Sequence, residues 1–516
     1  MITLESYVQG RWEAGSGDPK PLHNPATEEV LAQVHPGGID VGAALSWARE
    51  VGGPALRELG FAGRGALLKK LSGVIHEHRD ELLDLSTQNA GTTRGDSKFD
   101  IDGATGTLAA YAYFAKKLTD RGFLSDGDGV QLGRTARFWG QHIQVPRRGV
   151  AVHINAFNFP AWNMCEKMAC ALLAGMPVIE KPGTPTAMVA WRIAKILADT
   201  DVLPPGAFQF LAGGARDLPD HMGPQDVLAF TGSSGTGAHL RGHANLVRHN
   251  VHVNVEADSL NAALLGPDVD RDAEAYGLFL SNVVLDMTQK TGQKCTAVRR
   301  ILVPADRVDE VVEDLVNDLG RIKMGDPTER ETRMGPLASS DALADVRSGI
   351  DALAAHADVR CGGSEPAAEK GYFVAPTLLV ARDATSAVFH EKEVFGPVAT
   401  ILPYDGSAEE AVRLTNLGGG GLVASVYSND RRFTEAVVLG ISPWHGRVWI
   451  GADKVADHAS PPGTVLPASI HGGPGRAGGG EELGGLRGLE PYLQRTAVQG
   501  FQGLVERAFG APASAS

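Results

Sequence analysis

The 516-residue chain is 43% hydrophobic and 21% charged, a globular balance far from that of disordered chains. Its 48 basic and 61 acidic residues leave a net charge of −13 with no basic stripe, which argues against a nucleic-acid partner. At roughly 150 residues per domain the length suggests about three units, and 64 glycines with 29 prolines suit many tight turns.

The N-terminal stretch MITLESYVQGRWEAG lacks the apolar core of a signal peptide. No run of about 18 uncharged apolar residues occurs, so no membrane span is expected. Residues 1–35 read as short strands, SYVQGRW and EEVLAQVHP. Helical periodicity follows over 41–90 and 101–117. The segment 127–149 alternates (GVQLGRTARFWGQHIQVP) and predicts a β-ribbon standing apart from the helices.

From residue 150 strands and helices take turns. VAVHINAF, MPVIEKP, FQFLAG, DVLAFTGS and HVNVEAD read as strands. AWNMCEKMACALLAG, TAMVAWRIAKILADT and GTGAHLRGHAN read as helices between them. Such alternation means a parallel, doubly wound sheet. A second alternating region spans about 262–450, with helices at 272–291 and 306–320. Its strands are RRILVP, TLLVA, AVFHE, VATILPY and LVASVYS. The tail 451–516 is Gly-rich and predicts a flexible PASAS end at 512–516.

Four cysteines, Cys165, Cys170, Cys295 and Cys361, form neither a CxxC pair nor a zinc spacing. No disulfide scaffold and no metal site are expected, and the reducing cytoplasm fits best. Cys295, in TGQKCTA between a helix and a strand, is the candidate nucleophile. A lone free cysteine is nonetheless more often a small buried hydrophobe. Asn158 in INAFNFP lies at a strand end, where its amide can hold an oxyanion or merely satisfy a turn. Glu256 ends the strand HVNVEAD, at the edge where α/β sheets gather ligands; it reads equally as a general base or an exposed carboxylate. Lys181 in VIEKPG ends another strand at that edge and suits a ribose hydroxyl or phosphate, or solvent. AFTGSSGTG (229–237) joins a strand to a helix, as a pyrophosphate turn would. Its spacing departs from the dinucleotide fingerprint G-x-G-x-x-G.

FNFP at Asn158, EKP at Lys181, FTGS, Glu256, GQKC at Cys295 and EVFGPV at 393–398 follow one another in a single order. In that combination, through to GEELGG near the end, the chain resembles the aldehyde dehydrogenase superfamily. The resemblance implies a Rossmann-like cofactor domain (1–126 and 150–262) and an α/β catalytic domain (263–460). It further implies an oligomerisation element of the β-ribbon with the tail (127–149 and 461–516), in a homodimer or homotetramer. Cys295 would attack the aldehyde, Asn158 would hold the oxyanion, and Glu256 would activate the water that hydrolyses the thioester. Lys167 and Glu482 match positions of a proton relay. Gly232 and Ser233 would face the pyrophosphate, Glu393 the nicotinamide ribose, and Phe395 the cofactor's flank.

Four departures from the family pattern stand out. The usual PWN becomes AFN, and the usual ELGGKSP becomes Glu256-Ala257-Asp258-Ser259-Leu260. Cys295 lies several residues farther from Glu256 than is common, which suggests a reshaped loop near the mouth. Thr184 stands where many NAD-preferring members carry a glutamate that would repel a 2′-phosphate. With Lys181 nearby, NADP is the expected cofactor, NAD remaining possible. The strings VAVHINAFNFP, EADSLN and HGGPGRAGGGEELGGLR resemble the branch that oxidises CoA-linked semialdehydes after aromatic ring cleavage. With 516 residues leaving no room for a fused hydratase, the expected substrate is 3,4-dehydroadipyl-CoA semialdehyde of the aerobic benzoyl-CoA pathway.

Overall fold

The computed structural model describes residues 1–510, so the tail end at 512–516 lies outside the described residues. The chain opens with β1 (Ile2–Leu4), β2 (Ser6–Val8), β3 (Arg11–Glu13), β4 (Lys20–His23) and β5 (Val30–Val34). β2 and β3 form a hairpin whose turn residues, Gln9 and Gly10, both have positive φ, as the twist of a two-residue turn requires. Helices α1 (Val41–Trp47), α2 (Gly53–Glu58), α3 (Gly60–Glu77), α4 (Arg79–Ala90) and α5 (Arg94–Phe114) follow. Left-handed Gly91 ends α4, and the Thr93 hydroxyl then accepts from Asp96 N to cap α5. On α3, Leu67, Leu68, Leu71 and Ile75 line one face at helical spacing and are buried.

β6 (Leu124–Gln131) and β7 (Phe138–Pro146) make the ribbon, which starts three residues earlier than its sequence pattern suggests. Beyond it run β8 (Ala151–Ile154), α6 (Trp162–Ala174), β9 (Val178–Lys181), α7 (Ala187–Asp199), β10 (Phe208–Phe210), β11 (Val227–Thr231), α8 (Ser234–Arg241), α9 (Ala244–His249) and β12 (His252–Glu256). The first seven-stranded sheet has the order β12-β11-β8-β9-β10-β2-β3. β12 through β10 are parallel, and the β2–β3 hairpin closes that edge antiparallel. The order reverses beside β8, so the ends of β8 and β11 flank the crevice where ligands of such sheets bind. Every residue of α6 is buried, Glu166 and Lys167 included.

A second unit is built from β13 (Ala262–Leu265), α10 (Glu274–Thr288), β14 (Arg300–Pro304), α11 (Val308–Gly320), α12 (Ser340–Ala354), β15 (Ala357–Cys361), β16 (Thr377–Ala381), α13 (Val388–Glu391), β17 (Val398–Tyr404), α14 (Ala408–Asn416), β18 (Gly421–Tyr427), α15 (Arg431–Ile441) and β19 (His445–Gly451). Its sheet runs β15-β16-β17-β14-β13-β18-β19, with only β15 antiparallel. The strand expected at AVFHE is instead the short helix α13. Parallel neighbours β16 and β17 need a crossover between them, so that segment has no place in the sheet. His390 anchors the turn through Nε2 on Ala384 O at 2.8 Å.

A small hairpin, β20 (Ile470–Gly472) with β21 (Glu481–Leu483), leads to β22 (Leu493–Phe501) and α16 (Gln502–Phe509). β22 pairs along all of β7, so the end of the chain completes the ribbon as a three-stranded sheet. No described helix is long and apolar enough to cross a membrane.

Candidate active site

Cys295 sits in the segment that leaves α10 for β14, and that segment is held on every side. Lys290, Thr291 and Gly292 have φ of 53°, 56° and 67°, three left-handed residues in a row. Only surroundings that over-determine the backbone keep such strain, and it gathers at functional sites. The constraint at Gly292 is close approach as well, since a Cβ there would lie 2.2 Å from Gly396 O. The buried Arg299 guanidinium donates to Gly292 O at 2.9 Å, Lys294 O at 3.2 Å and Gly396 O at 2.7 Å. Asn261 Nδ2 donates to Cys295 O at 2.8 Å and Ala297 O at 2.9 Å. From the first sheet, Asn158 Nδ2 donates to Gln293 O at 3.0 Å, which aims its amide at the Cys295 loop.

Glu256 ends β12 beside this loop, and His471 of β20 reaches between the two. His471 Nε2 lies 3.1 Å from Glu256 Oε2 and 3.8 Å from Cys295 Sγ. Burial would push Glu256 up, yet the imidazole overrides it and holds the carboxyl down at about 2. Burial would likewise lower His471, but the Glu256 carboxylate lifts it well above the usual histidine range. The thiol of Cys295 is pushed up to about 11 by burial and by Glu256, with His471 acting the other way. The resting cluster is therefore an imidazolium–carboxylate pair beside a protonated thiol.

Behind Glu256 lies a second buried charge cluster. Lys167 Nζ is 3.1 Å from Glu482 Oε2 and 3.4 Å from Glu166 Oε1. Burial disfavours the ammonium, but Glu482 and Glu166 outweigh it, so the lysine stays charged. These residues and Asn254 line a small cavity under the β20–β21 hairpin. The hairpin's glycines permit its approach to β12: a Cβ on Gly478 would lie 2.2 Å from Val255 O.

The cofactor candidates lie along the same edge. Lys181 ends β9, its ammonium donating to Pro182 O at 3.0 Å. Burial and the charge of Lys20 on β4 bring its pKa down to about 8. With Lys20 adding positive charge and no carboxylate paired to Lys181 among the described residues, the place fits a phosphate. Thr184 opens the turn after Lys181. At α8 the Gly232 N–H is bonded to Glu256 O at 3.1 Å, and Ser233 caps the helix through Thr236 N. Ser234 N and Oγ both donate to Asp258, whose carboxylate sits at this helix start. Glu393 accepts from Ser259 N at 3.1 Å through Oε2, while its buried Oε1 makes no hydrogen bond and has only Arg299 Nε at 3.7 Å. Burial pushes Glu393 up to about 7, against Arg299. An orphaned buried oxygen is what a ribose hydroxyl would satisfy, so the residues fit a nicotinamide dinucleotide. Phe395, two residues on, meets Phe157 edge-on at 5.9 Å.

Residues 12–498 match the aldehyde dehydrogenase family model. The chain belongs to the aldehyde dehydrogenase family. It is 44% identical over 480 residues, 92% of this chain and 93% of the relative, to 3,4-dehydroadipyl-CoA semialdehyde dehydrogenase of Aromatoleum evansii. Geranial dehydrogenase of Castellaniella defragrans is 30% identical over 82% of this chain and 86% of its own. Among solved structures, lactaldehyde dehydrogenase from Escherichia coli matches with TM-score 0.84 at 25% identity, covering 97% of this chain and 99% of that one. An aldehyde dehydrogenase of Bacillus cereus, solved with NAD+, matches with TM-score 0.84 at 27% identity over 97% and 96%.

As an aldehyde dehydrogenase the protein is an NAD(P)-dependent oxidoreductase acting on an aldehyde. Its site contains four residues that sequence reading passed over: His471, Asn261, Arg299 and Lys20. His471 opens the string HGGPGRAGGGEELGG, but a lone histidine in a glycine-rich stretch carries no spacing signal. Asn261 and Arg299 act on backbone carbonyls, which no motif exposes. Lys20 comes from a strand far away in the chain.

Proposed function

We propose that this enzyme oxidises a CoA-linked semialdehyde, 3,4-dehydroadipyl-CoA semialdehyde, to its acid with NADP+, in aerobic benzoyl-CoA degradation. The observation that carries the substrate is the 44% identity over 92% of the chain to the Aromatoleum evansii enzyme of that name. Lys181 and the uncharged Thr184 support NADP+, since Lys181 would supply a cation for a 2′-phosphate and position 184 carries no carboxylate to repel it.

Cys295 attacks the aldehyde carbon, and the oxygen takes up charge beside the Asn158 amide. The bound nicotinamide cofactor supplies the acceptor for the hydride that leaves the resulting thiohemiacetal. Glu256 then takes a proton from the water that hydrolyses the Cys295 thioester. Lys167 and Glu482 carry protons away from Glu256 through the cavity behind it. Glu393 binds the nicotinamide ribose, Phe395 flanks the cofactor, and Gly232 and Ser233 shape the pyrophosphate turn. Asp258 holds the first N–H of α8, and that N–H would be open to a pyrophosphate only with the carboxylate turned away.

Expected at 1–126 with 150–262, the cofactor domain gives up 124–126 to the ribbon; the catalytic domain is 263–460, and β6, β7 and β22 join subunits, while the tail's β20–β21 hairpin serves the active site. Exposed Val130, Leu132, Phe138 and Phe501 on the ribbon support a homo-oligomer, as does exposed Ile450 on the edge strand β19. Assaying CoA-linked and free semialdehydes with both cofactors tests the reading. The expected outcome is highest kcat/KM for the CoA-linked semialdehyde with NADP+, giving free acid without added CoA. Higher kcat/KM for free aldehydes refutes the substrate, and a requirement for free CoA makes the enzyme an acylating one instead.

A further inference from the structure

We infer that His471 is a catalytic residue, a fixed imidazolium that pairs with whichever neighbour carries the negative charge, the Glu256 carboxylate or the Cys295 thiolate. This rests on Cys295 and Glu256 acting as nucleophile and base. The geometry that points to it is a single nitrogen, Nε2, lying 3.1 Å from Glu256 Oε2 and 3.8 Å from Cys295 Sγ. One reactive atom from each of the three residues lies within 4.8 Å of the others. Both the imidazole and the carboxylate are almost wholly buried, with side chains 4% and 2% exposed.

Charge balance explains why a cation belongs there. At rest the cluster holds one anion, Glu256, and one cation, His471, beside a neutral thiol. Activation moves the thiol proton from Sγ to the Glu256 carboxylate. The S–H electron pair stays on sulfur, and the imidazolium now faces the thiolate. At rest and whenever the sulfur is a thiolate, the cluster holds one anion beside one cation, so no lone anion is created in a buried site. Attack forms the S–C bond, and oxidation leaves a neutral thioester. Glu256 then gives up its proton toward Lys167 and Glu482, and His471 pairs with it again. In hydrolysis water gives a proton to Glu256, its oxygen bonds to the acyl carbon, and the C–S electron pair returns to sulfur. His471 is again opposite the thiolate at the moment it leaves. Without the imidazolium, the resting state and both thiolate states would each carry a lone buried anion.

Other charges surround the cluster. Glu256 faces His471 from β12, and Glu166 and Lys167 act on the cluster from α6. Glu482 stands directly across the β20–β21 pair from His471. Arg299 and Arg447 act on Cys295 from the second sheet. His471 is the cation in contact with the sulfur, and the arginines do not replace it there.

The test reads the thiolate directly, without substrate or cofactor. The rate of Cys295 alkylation by iodoacetamide is followed by peptide mass against pH in the apoenzyme, for the wild type, His471→Gln and Glu256→Gln. His471→Gln should slow alkylation at pH 7 at least about tenfold and move its midpoint up by about one unit or more. Glu256→Gln, which leaves the imidazolium to the sulfur alone, should move the midpoint down and speed alkylation. Superimposable profiles for wild type and His471→Gln overturn the proposal, as does a Glu256→Gln profile that moves upward. Should His471→Gln fail to fold, as judged by thermal melting, His471→Asn takes its place in the comparison with wild type. Because no aldehyde enters the experiment, a wrong substrate leaves these shifts intact, whereas a wrong role for His471 abolishes them.

Discussion

The two seven-stranded sheets approach the active site from opposite ends of their strands. The first contributes residues at or just past the C-terminal ends of its strands: Asn158 after β8, Lys181 at the end of β9, Gly232 and Ser233 after β11, and Glu256 at the end of β12. The second contributes residues just ahead of its strands: Asn261 before β13, Cys295 before β14, and Glu393 and Phe395 before β17. A C-terminal sheet edge thus faces an N-terminal one, and the β20–β21 hairpin wedges His471 and Glu482 between them. In the proposed mechanism the first edge binds and takes protons, while the second holds Cys295 on a strained, clamped backbone. Division of labour of this kind makes each edge separately breakable.

The largest effect should come from the second edge. Cys295→Ala should lower kcat by at least about 10⁴-fold, because no other group on either edge can form the covalent bond. Cofactor affinity, measured by fluorescence titration, should stay within about twofold, since the first edge is untouched. Substantial residual turnover would mean that the chemistry does not pass through this sulfur. The matching substitution on the first edge, Asn158→Ala, should lower kcat by roughly 10²–10³ with little change in KM. A loss confined to KM would instead make Asn158 a ground-state binding residue.

The same division explains what could be read from sequence. The first edge was legible because parallel strands place functional side chains at their C-terminal ends, and Lys181 and Glu256 obey that rule. The second edge obeys no such rule: Glu393 and Phe395 were reached only through resemblance, and Asn261 and Arg299 not at all. Helices α12, α14 and α15 of the second unit also went unread, although each carries a capping side chain. Ser407 accepts from Glu410 N as the first member of a capping box, and Ser339 and Asp430 cap α12 and α15. Their apolar stripes are short and broken by charge, so the caps were the better signal. His471 shows a different limit, because its partners lie on β12 and beside β14, remote in sequence.

Intermediate effects should appear where the first edge meets the cofactor. Lys181→Ala should cut kcat/KM for NADP+ about 10- to 100-fold, the worth of a charge-assisted hydrogen bond, and leave NAD+ nearly unchanged. Thr184→Glu should act in the same direction by repelling the 2′-phosphate. The pH dependence has a definite sign. Lys181 is charged below about 8 and loses its proton above, so KM for NADP+ should climb as pH rises through that value. KM for NAD+, which carries no 2′-phosphate, should stay flat over the same range. Equal behaviour of the two cofactors would remove Lys181 from phosphate recognition.

The smallest effect belongs to Glu393, where the second edge touches the cofactor rather than the aldehyde. Its orphaned Oε1 offers one acceptor to a ribose hydroxyl, a bond worth roughly 0.5–1.5 kcal/mol, so Glu393→Gln should raise the cofactor KM about 2- to 10-fold. Burial has pushed the carboxyl up to about 7, so the group is protonated on the acid side of neutrality. A hydroxyl donated to the carboxylate favours the ionised form, and the bond weakens as pH falls below about 7. The wild-type KM for both cofactors should therefore rise on that side, since both carry the nicotinamide ribose. Glu393→Gln, which cannot ionise, should lose this acid limb while keeping the alkaline limb set by Lys181. Two limbs removed one at a time, each by a substitution on its own sheet edge, would separate the two surfaces that hold one cofactor.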